Sequence, residues 1–222
     1  MDFRHEWKIE ITPADHAALR RRLKAVASPD CHGVDGRYRI RSLYFDSPAD
    51  KALREKMDGV DRREKFRIRF YNGDTAFLRL EKKSKQNGLC RKQAETVSEG
   101  QARALLEGDL SWMMEGGPLA RELLHKMRTE GLGPKTVVEY EREPYVYGPG
   151  NVRVTFDYGL RTGLRSTDFL NPACITIPAG TAPVLMEVKW DAFLPDIIRD
   201  AIVLPGRRAS AFSKYAQCRI YG

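Results

Sequence analysis

No two cysteines in this sequence have the spacing of a metal knuckle. Cys31, Cys90, Cys174 and Cys218 are scattered without a CxxC pair, which argues against a zinc site and a disulfide framework and predicts reduced structural thiols. His5, His16, His32 and His125 are equally dispersed, with no zinc-protease spacing, and are expected to be structural or exposed. There is no Walker-type loop and no GxGxxG, so phosphate would have to be held by side chains instead of backbone amides at a helix N-terminus. No apolar run is long enough for a signal peptide or a membrane-spanning helix, and the opening "MDFRHEWKIEI" is charged from its second residue. The expected location is the cytoplasm. No linker, repeat or low-complexity segment divides residues 1–222, which predicts a single domain with a sizeable core.

Positive charge, by contrast, is in excess: 38 Lys+Arg stand against 30 Asp+Glu, a formal net charge of +8. That balance favours an anionic partner, such as nucleic acid, a phosphorylated metabolite, a polyanion or a membrane surface.

The charge follows a period of two. In "EKFRIRFY" the residues Lys65, Arg67, Arg69 and Tyr71 share one strand face, ~7 Å apart in succession, while Phe66, Ile68 and Phe70 take the other. The same alternation recurs with Arg4, Glu6 and Lys8; with Arg37, Arg39 and Arg41; with Arg79, Glu81 and Lys83; with Tyr140 and Arg142; with Arg153, Thr155 and Asp157; and with Glu187 and Lys189. Strands are therefore expected over Phe3–Ile11, Arg37–Asp46, Arg62–Tyr71, Thr75–Lys83, Cys90–Val97, Lys135–Tyr147, Asn151–Tyr158 and Pro183–Trp190, with a short run near Leu160–Arg165. "NGD" and "YGPGN" read as hairpin turns. Thr12-Pro13 caps a helix to Ala27, Ser47-Pro48 starts one that Gly59 ends, and Ser98 caps one to Glu107. Helices are further expected over Pro118–Thr129, Phe193–Leu204 and "SAFSKYAQC". Eight or nine strands with turn-like connections predict a mainly antiparallel α+β fold, either a sandwich with charged faces in water or a barrel with them inside. In the barrel, helices at Thr12, Pro118 and Phe193 would cover the apolar exterior, and the cationic lumen would need water, carboxylates such as Glu81 and Glu187, or a polyanion.

"RHEWK", "SLYFD", "KFRIRFY", "LEKKSK", "EYERE", "VRVTFD", "MEVKW" and "FSKY" fall in an order that resembles the polyphosphate polymerase domain of the vacuolar transporter chaperone (VTC) family, from Arg4 to Tyr215. That family belongs to the triphosphate tunnel metalloenzymes, the CYTH-like superfamily. The resemblance implies one tunnel domain, an eight-stranded barrel with short helices packed outside. Its implied activity is transfer of the γ-phosphate of ATP to inorganic polyphosphate with a divalent metal, Mn²⁺ or Mg²⁺. It implies catalytic roles for Lys8, Arg67, Arg69, Lys83, Arg142 and Arg153. Lys92, Tyr140, Ser213 and Lys214 would contact phosphate, and Glu187 would bind the metal. Read without it, Lys8, Lys83 and Lys92 are solvent-facing strand lysines, Ser213 is an exposed helix residue, and Glu187 neutralises Lys189. The Arg37, Arg39 and Arg41 stripe takes no family role, and solvent or carboxylate pairing is its expected use.

Two positions depart from the pattern. Arg4 stands at the first glutamate of the superfamily's ExExK signature, which fits the polymerase branch better than the two-carboxylate hydrolase. Ala211 stands where the polymerase branch can carry a lysine three residues before Lys214, with Arg207 or Arg208 as substitutes. The other readings are a tripolyphosphate or nucleoside-triphosphate hydrolase of the same fold, and a polyphosphate-binding sensor without catalysis. Nucleic acid over an exposed sheet is not expected, because it needs stacking aromatics among the cations, and Trp7, Phe66 and Phe70 fall on the opposite face.

Overall fold

Strand alternation and turn chemistry produce a long, curled antiparallel sheet. The computed structural model describes residues 3–220 apart from His32, Val34 and Ala182, so the expectation that His32 is structural or exposed lies outside the described residues. Strands β1 (His5–Ile11), β2 (Ser28–Pro29), β3 (Tyr38–Asp46), β4 (Arg63–Tyr71), β5 (Asp74–Gln86), β6 (Leu89–Val97), β7 (Gly133–Tyr147), β8 (Val152–Thr162), β9 (Ile177–Pro178) and β10 (Val184–Trp190) form one sheet. Its main path runs β1-β10-β8-β7-β3-β4-β5-β6, while the two-residue strands β2 and β9 attach to β7 and β8. The sheet curls until its two edge strands meet at one point: Arg4 and Cys90 exchange backbone hydrogen bonds of 2.9 and 3.1 Å. Register shifts at Tyr44/Phe45, Arg69/Tyr71 and Glu139/Glu141 supply the local bends that such closure needs.

The hairpin between β4 and β5 turns on Asn72 (φ 52°) and Gly73 (φ 77°), both left-handed as a two-residue turn requires. Helices are α1 (Pro13–Val26), α2 (Lys51–Met57), α3 (Glu99–Glu107), α4 (Trp112–Glu115), α5 (Pro118–Glu130), α6 (Asp196–Ile202) and α7 (Lys214–Cys218). Thr12 caps α1 through a reciprocal pair with Asp15, and Ser98 caps α3 with Gln101 in the same way.

Some boundaries differ from the sequence expectation. The run near Leu160–Arg165 is no separate strand, because β8 continues through Gly159 (φ 61°) to Thr162. α2 starts at Lys51 rather than near Pro48, since the buried Asp46 carboxylate accepts the Ala52 and Leu53 N–H groups at that end. α6 is shorter than Phe193–Leu204, and α4, β2 and β9 carry too few residues to show a period.

Apolar faces point outward and are covered by helices. Leu105, Met113, Leu119 and Leu123 of α3 to α5 pack on Phe66, Ile68, Phe70 and Leu80, while Leu19, Leu23 and Ile198 of α1 and α6 pack on Val154, Phe156, Met186 and Val188. Each fully buried side chain of this size contributes roughly 1.5–3 kcal/mol. On the concave face, α7 sets Tyr215 and Cys218 against Ile40, Tyr44, Val138 and Tyr140, closing that end with apolar contacts. The rest of the concave face is ionic.

Candidate active site

Because β4 to β6 are paired in register, their charged faces line up in rows. Arg67 lies opposite Glu81, and Lys65, Lys83 and Lys92 form one row across three strands. Glu81 is 2% exposed and receives Arg67 at 2.9 Å, Arg69 at 2.8 Å and Lys92 at 2.5 Å. Burial alone would raise its pKa, but Arg67, Arg69 and Lys92 outweigh that and hold it far below the carboxylate range. Lys92 is pushed down to about 8, first by burial and then by Arg69, against the pull of Glu81.

A second network lies on the β1-β10-β8-β7 side. Arg142 grips Asp157 through two 2.6 Å bonds, Lys214 reaches Asp157 at 2.5 Å and Glu187 at 2.8 Å, and Glu187 also meets Lys189 at 3.1 Å, Arg142 at 3.5 Å and Lys8 at 3.7 Å. Burial opposes ionisation of Glu187, yet Lys189, Lys214, Lys8 and Arg142 hold its pKa well below the usual range. Glu6 joins the same network through Lys83 at 2.7 Å, Lys189 at 3.4 Å and Lys8 at 3.8 Å. Arg153 is held by Asp30 at 2.5 Å and by the Tyr38 hydroxyl at 2.7 Å.

Both networks face one cavity of about 390 Å³, whose walls carry twelve Lys/Arg side chains and three carboxylates, Glu6, Glu81 and Glu187. Such a surplus in a confined space creates a field that favours a multivalent anion. Donors also stand ready for it: Arg69 Nε and Arg153 Nε, on two residues of the cavity wall, are buried without a hydrogen-bond partner.

Lys8, Arg67, Arg69, Lys83, Lys92, Tyr140, Arg142, Arg153, Glu187 and Lys214 all line this cavity. Ser213 does not. It lies in an adjoining cavity of about 120 Å³ that Lys8, Lys65 and Lys83 also line, and its Oγ accepts the Ala216 N–H as the N-cap of α7. Of the two arginines near Ala211, Arg207 pairs with Asp15 of α1 at 2.7 Å, and neither it nor Arg208 lines these cavities. The arginines of β3 face outward, where Arg41 meets Glu139 at 2.7 Å and Arg39 is mostly exposed. Arg4 pairs with Asp191 at 2.6 Å at the cavity rim.

Alternation also reached residues to which the family resemblance assigned no role. Glu6, Lys65 and Lys189 have the same parity as their named neighbours and share the cavity, and Asp157 stands behind it. Of the tyrosines, Tyr71 and Tyr140 line the lumen on the faces they share with Arg69 and Arg142, and Tyr38 and Tyr44 line it from the face of β3 opposite Arg39 and Arg41. Cations cover the rings of Tyr44, Tyr71 and Tyr140, with Arg69 4.9 Å from the Tyr71 centroid and Lys214 4.8 Å from that of Tyr140.

Among the described residues no group of three His, Cys, Asp or Glu could hold a metal by itself. Glu6 and Glu187, which share Lys8 and Lys189, nevertheless fit a hard cation that also takes phosphate oxygens, since magnesium-like ions use one or two carboxylates plus substrate. No helix of the described residues is long and apolar enough to cross a membrane.

The model of the VTC domain matches residues 3–221. Among solved structures, a Hippeastrum protein described as a candidate adenylyl cyclase with a dominant triphosphatase activity aligns at 15% identity over 98% of this chain and 95% of its own, TM-score 0.58. A Bacillus halodurans protein described as a candidate adenylate cyclase aligns at 15% identity over 85% and 80%, TM-score 0.50. A Pyrococcus horikoshii protein aligns at 13% identity over 96% and 98%, TM-score 0.50. At such identities the likeness is one of fold. No curated protein matches the sequence.

Proposed function

The chain belongs to the VTC domain family, with the triphosphate tunnel fold, and on that premise we propose that it is a metal-dependent phosphotransferase making inorganic polyphosphate from the γ-phosphate of ATP. The observation that carries this reading is the lumen itself, where twelve cations surround three carboxylates in one cavity. Phosphoryl transfer passes through a loose transition state that needs alignment and charge neutralisation more than a covalent nucleophile. In this reading Arg67, Arg69 and Lys92 hold equatorial phosphate oxygens, and Arg142 and Lys214 hold the neighbouring phosphate. A divalent ion shared by Glu187, Glu6 and phosphate oxygens would neutralise further charge there. The bond from the γ-phosphorus to the ADP oxygen breaks as the terminal oxygen of a polyphosphate chain bonds to that phosphorus, and ADP leaves. Tyr140 lies between Arg142 and Lys214, which lower its pKa against the effect of burial, so its hydroxyl is a strong donor to phosphate. A cytoplasmic setting supplies the ATP that this reaction consumes.

Hydrolysis in the same lumen is the second reading, favoured by the likeness in fold to the Hippeastrum protein described as a triphosphatase. Against it stands Arg4, which occupies the position of a potential water-activating carboxylate and is bound to Asp191. Incubation of the protein with ATP and Mn²⁺ or Mg²⁺, followed by separation of ADP, free phosphate and acid-labile chains, tests the choice. Polymerisation yields much less than one free phosphate per ADP. Stoichiometric free phosphate would establish the hydrolase, and tight polyphosphate binding without turnover the sensor.

A further inference from the structure

Among the described lumen cations only Lys65 and the exposed Arg91 have no carboxylate partner, and Lys65 is the more deeply placed of the two. Its neighbours in the row are other lysines: Lys83 lies directly opposite on β4-β5 pairing, and Lys92 opposite Lys83 on the next strand. Like charges facing each other across a sheet are destabilising, unless something bridges them. Lys83 has Glu6 and Lys92 has Glu81, but among the described residues no carboxylate pairs with Lys65, whose ammonium rests only 5.5 Å from the Tyr44 ring centroid. The row below repeats the conflict, with Arg63 opposite Lys85.

Position gives the conflict a meaning. Lys65 alone lines the main cavity and both of the cavities that adjoin it on the α2 side, of about 120 and 330 Å³. Lys56, Arg63 and Lys85 line the smaller of these, and none of them has a carboxylate partner among the described residues.

We propose that Lys65 is a chain-length-determining residue: it binds the phosphate that follows the first three, where an extended polyphosphate leaves the main cavity for the α2-side cavity lined by Lys56, Arg63 and Lys85. This rests on the tunnel reading given above and assigns the chain's path within it. A triphosphate is satisfied by the Glu81 and Glu187 sides of the main cavity, whereas a longer chain must cross the lysine row. Burial, with Lys8, Lys83 and Arg67 close by, holds the ammonium pKa of Lys65 well below the usual lysine range, and a phosphate oxygen is the partner that would relieve it.

The test compares tripolyphosphate with a long-chain linear polyphosphate, by calorimetric titration without metal, on the full chain and on Lys65→Met. The unaltered protein binds the long chain more tightly than tripolyphosphate. Lys65→Met loses roughly tenfold or more in affinity for the long chain, as expected for one charge-assisted contact, and about threefold or less for tripolyphosphate. Lys65→Arg keeps the preference, which guards against a folding defect in the methionine variant. Equal losses for both ligands would put Lys65 inside the triphosphate site and overturn the inference, as would no loss for either, while leaving the tunnel reading intact. Failure of the unaltered protein to bind either anion would bring down the tunnel reading, and this inference with it.

Discussion

Replacing Glu187 by glutamine separates two roles that one carboxylate combines. In the lumen it neutralises Lys214, Lys189, Arg142 and Lys8, at 2.8, 3.1, 3.5 and 3.7 Å. Removing one partner of a buried ionic network costs about 3–5 kcal/mol when the other charges are left alone. Here they are not: Asp157 still holds Arg142 and Lys214, and Glu6 still meets Lys8 and Lys189. The expected loss is therefore about 1–3 kcal/mol, a few degrees in melting temperature for a chain of this size. Anion binding moves the other way. A phosphate no longer competes with Glu187 for Lys214 and Lys189, and a unit charge at 4 Å is worth ~4 kcal/mol at an effective dielectric of 20. After screening by Glu6 and Asp157, metal-free tripolyphosphate should bind about tenfold tighter, or ~1.4 kcal/mol. Metal-dependent ATP turnover should disappear, because a neutral amide poorly replaces a carboxylate toward a hard cation. Thermal melting, calorimetric titration and a Mn²⁺ turnover assay read the three effects. Undiminished turnover, or weaker metal-free binding, would refute the assignment of Glu187.

Other expectations concern charge elsewhere in the molecule. Affinity for polyphosphate should fall as pH rises through about 8, where Lys92 loses its proton, and Lys92→Arg should remove that step in a binding titration. Because the unfolded lysine titrates higher, near 10.4, the unfolded state binds more protons between those values, so this group adds stability with rising pH there; unfolding measured against pH in Lys92→Met should lack the increment. On the outer side of the sheet, beneath α1, burial would raise the pKa of Glu143, but His16, Tyr145 and Arg20 bring it down to about 2. That stability is present above the unfolded value of 4.5 and is lost as pH falls towards about 2, so Glu143→Gln should remove about 1–2 kcal/mol of acid-sensitive stability in denaturant titrations, the estimate being discounted for the partly exposed Arg20. Arg67→Ala should lower kcat by at least about a hundredfold, and Arg67→Lys should not restore it, since an ammonium cannot reproduce the fork that reaches both Glu81 and Tyr44. Equal steady-state rates for the lysine variant would show that charge alone suffices.

Local chemistry wrote much of this architecture into the sequence. Thr12, Pro13 and Asp15 start α1, Asn72-Gly73 turns β4 into β5, and period-two alternation marks the strands, because each depends on residues within a few positions of one another. The same alternation selected most cavity residues, including Lys8, Arg67, Arg69, Arg142 and Glu187. It could not say which face of a strand would be the inner one. Arg39 and Arg41 repeat the pattern of Arg67 and Arg69, yet they face outward: β3 presents Tyr38, Ile40 and Tyr44 to the concave side, where α7 closes the end, and Arg41 finds Glu139 on β7. Nor could it distinguish the paired Lys83 and Lys92 from the unpaired Lys65. Glu6 lies 77 positions before Lys83, and Lys214 meets Glu187 only after α7 docks on the sheet. Periodicity is a property of one strand, whereas the face it buries and the partner of each charge are set by register and closure among strands distant in sequence.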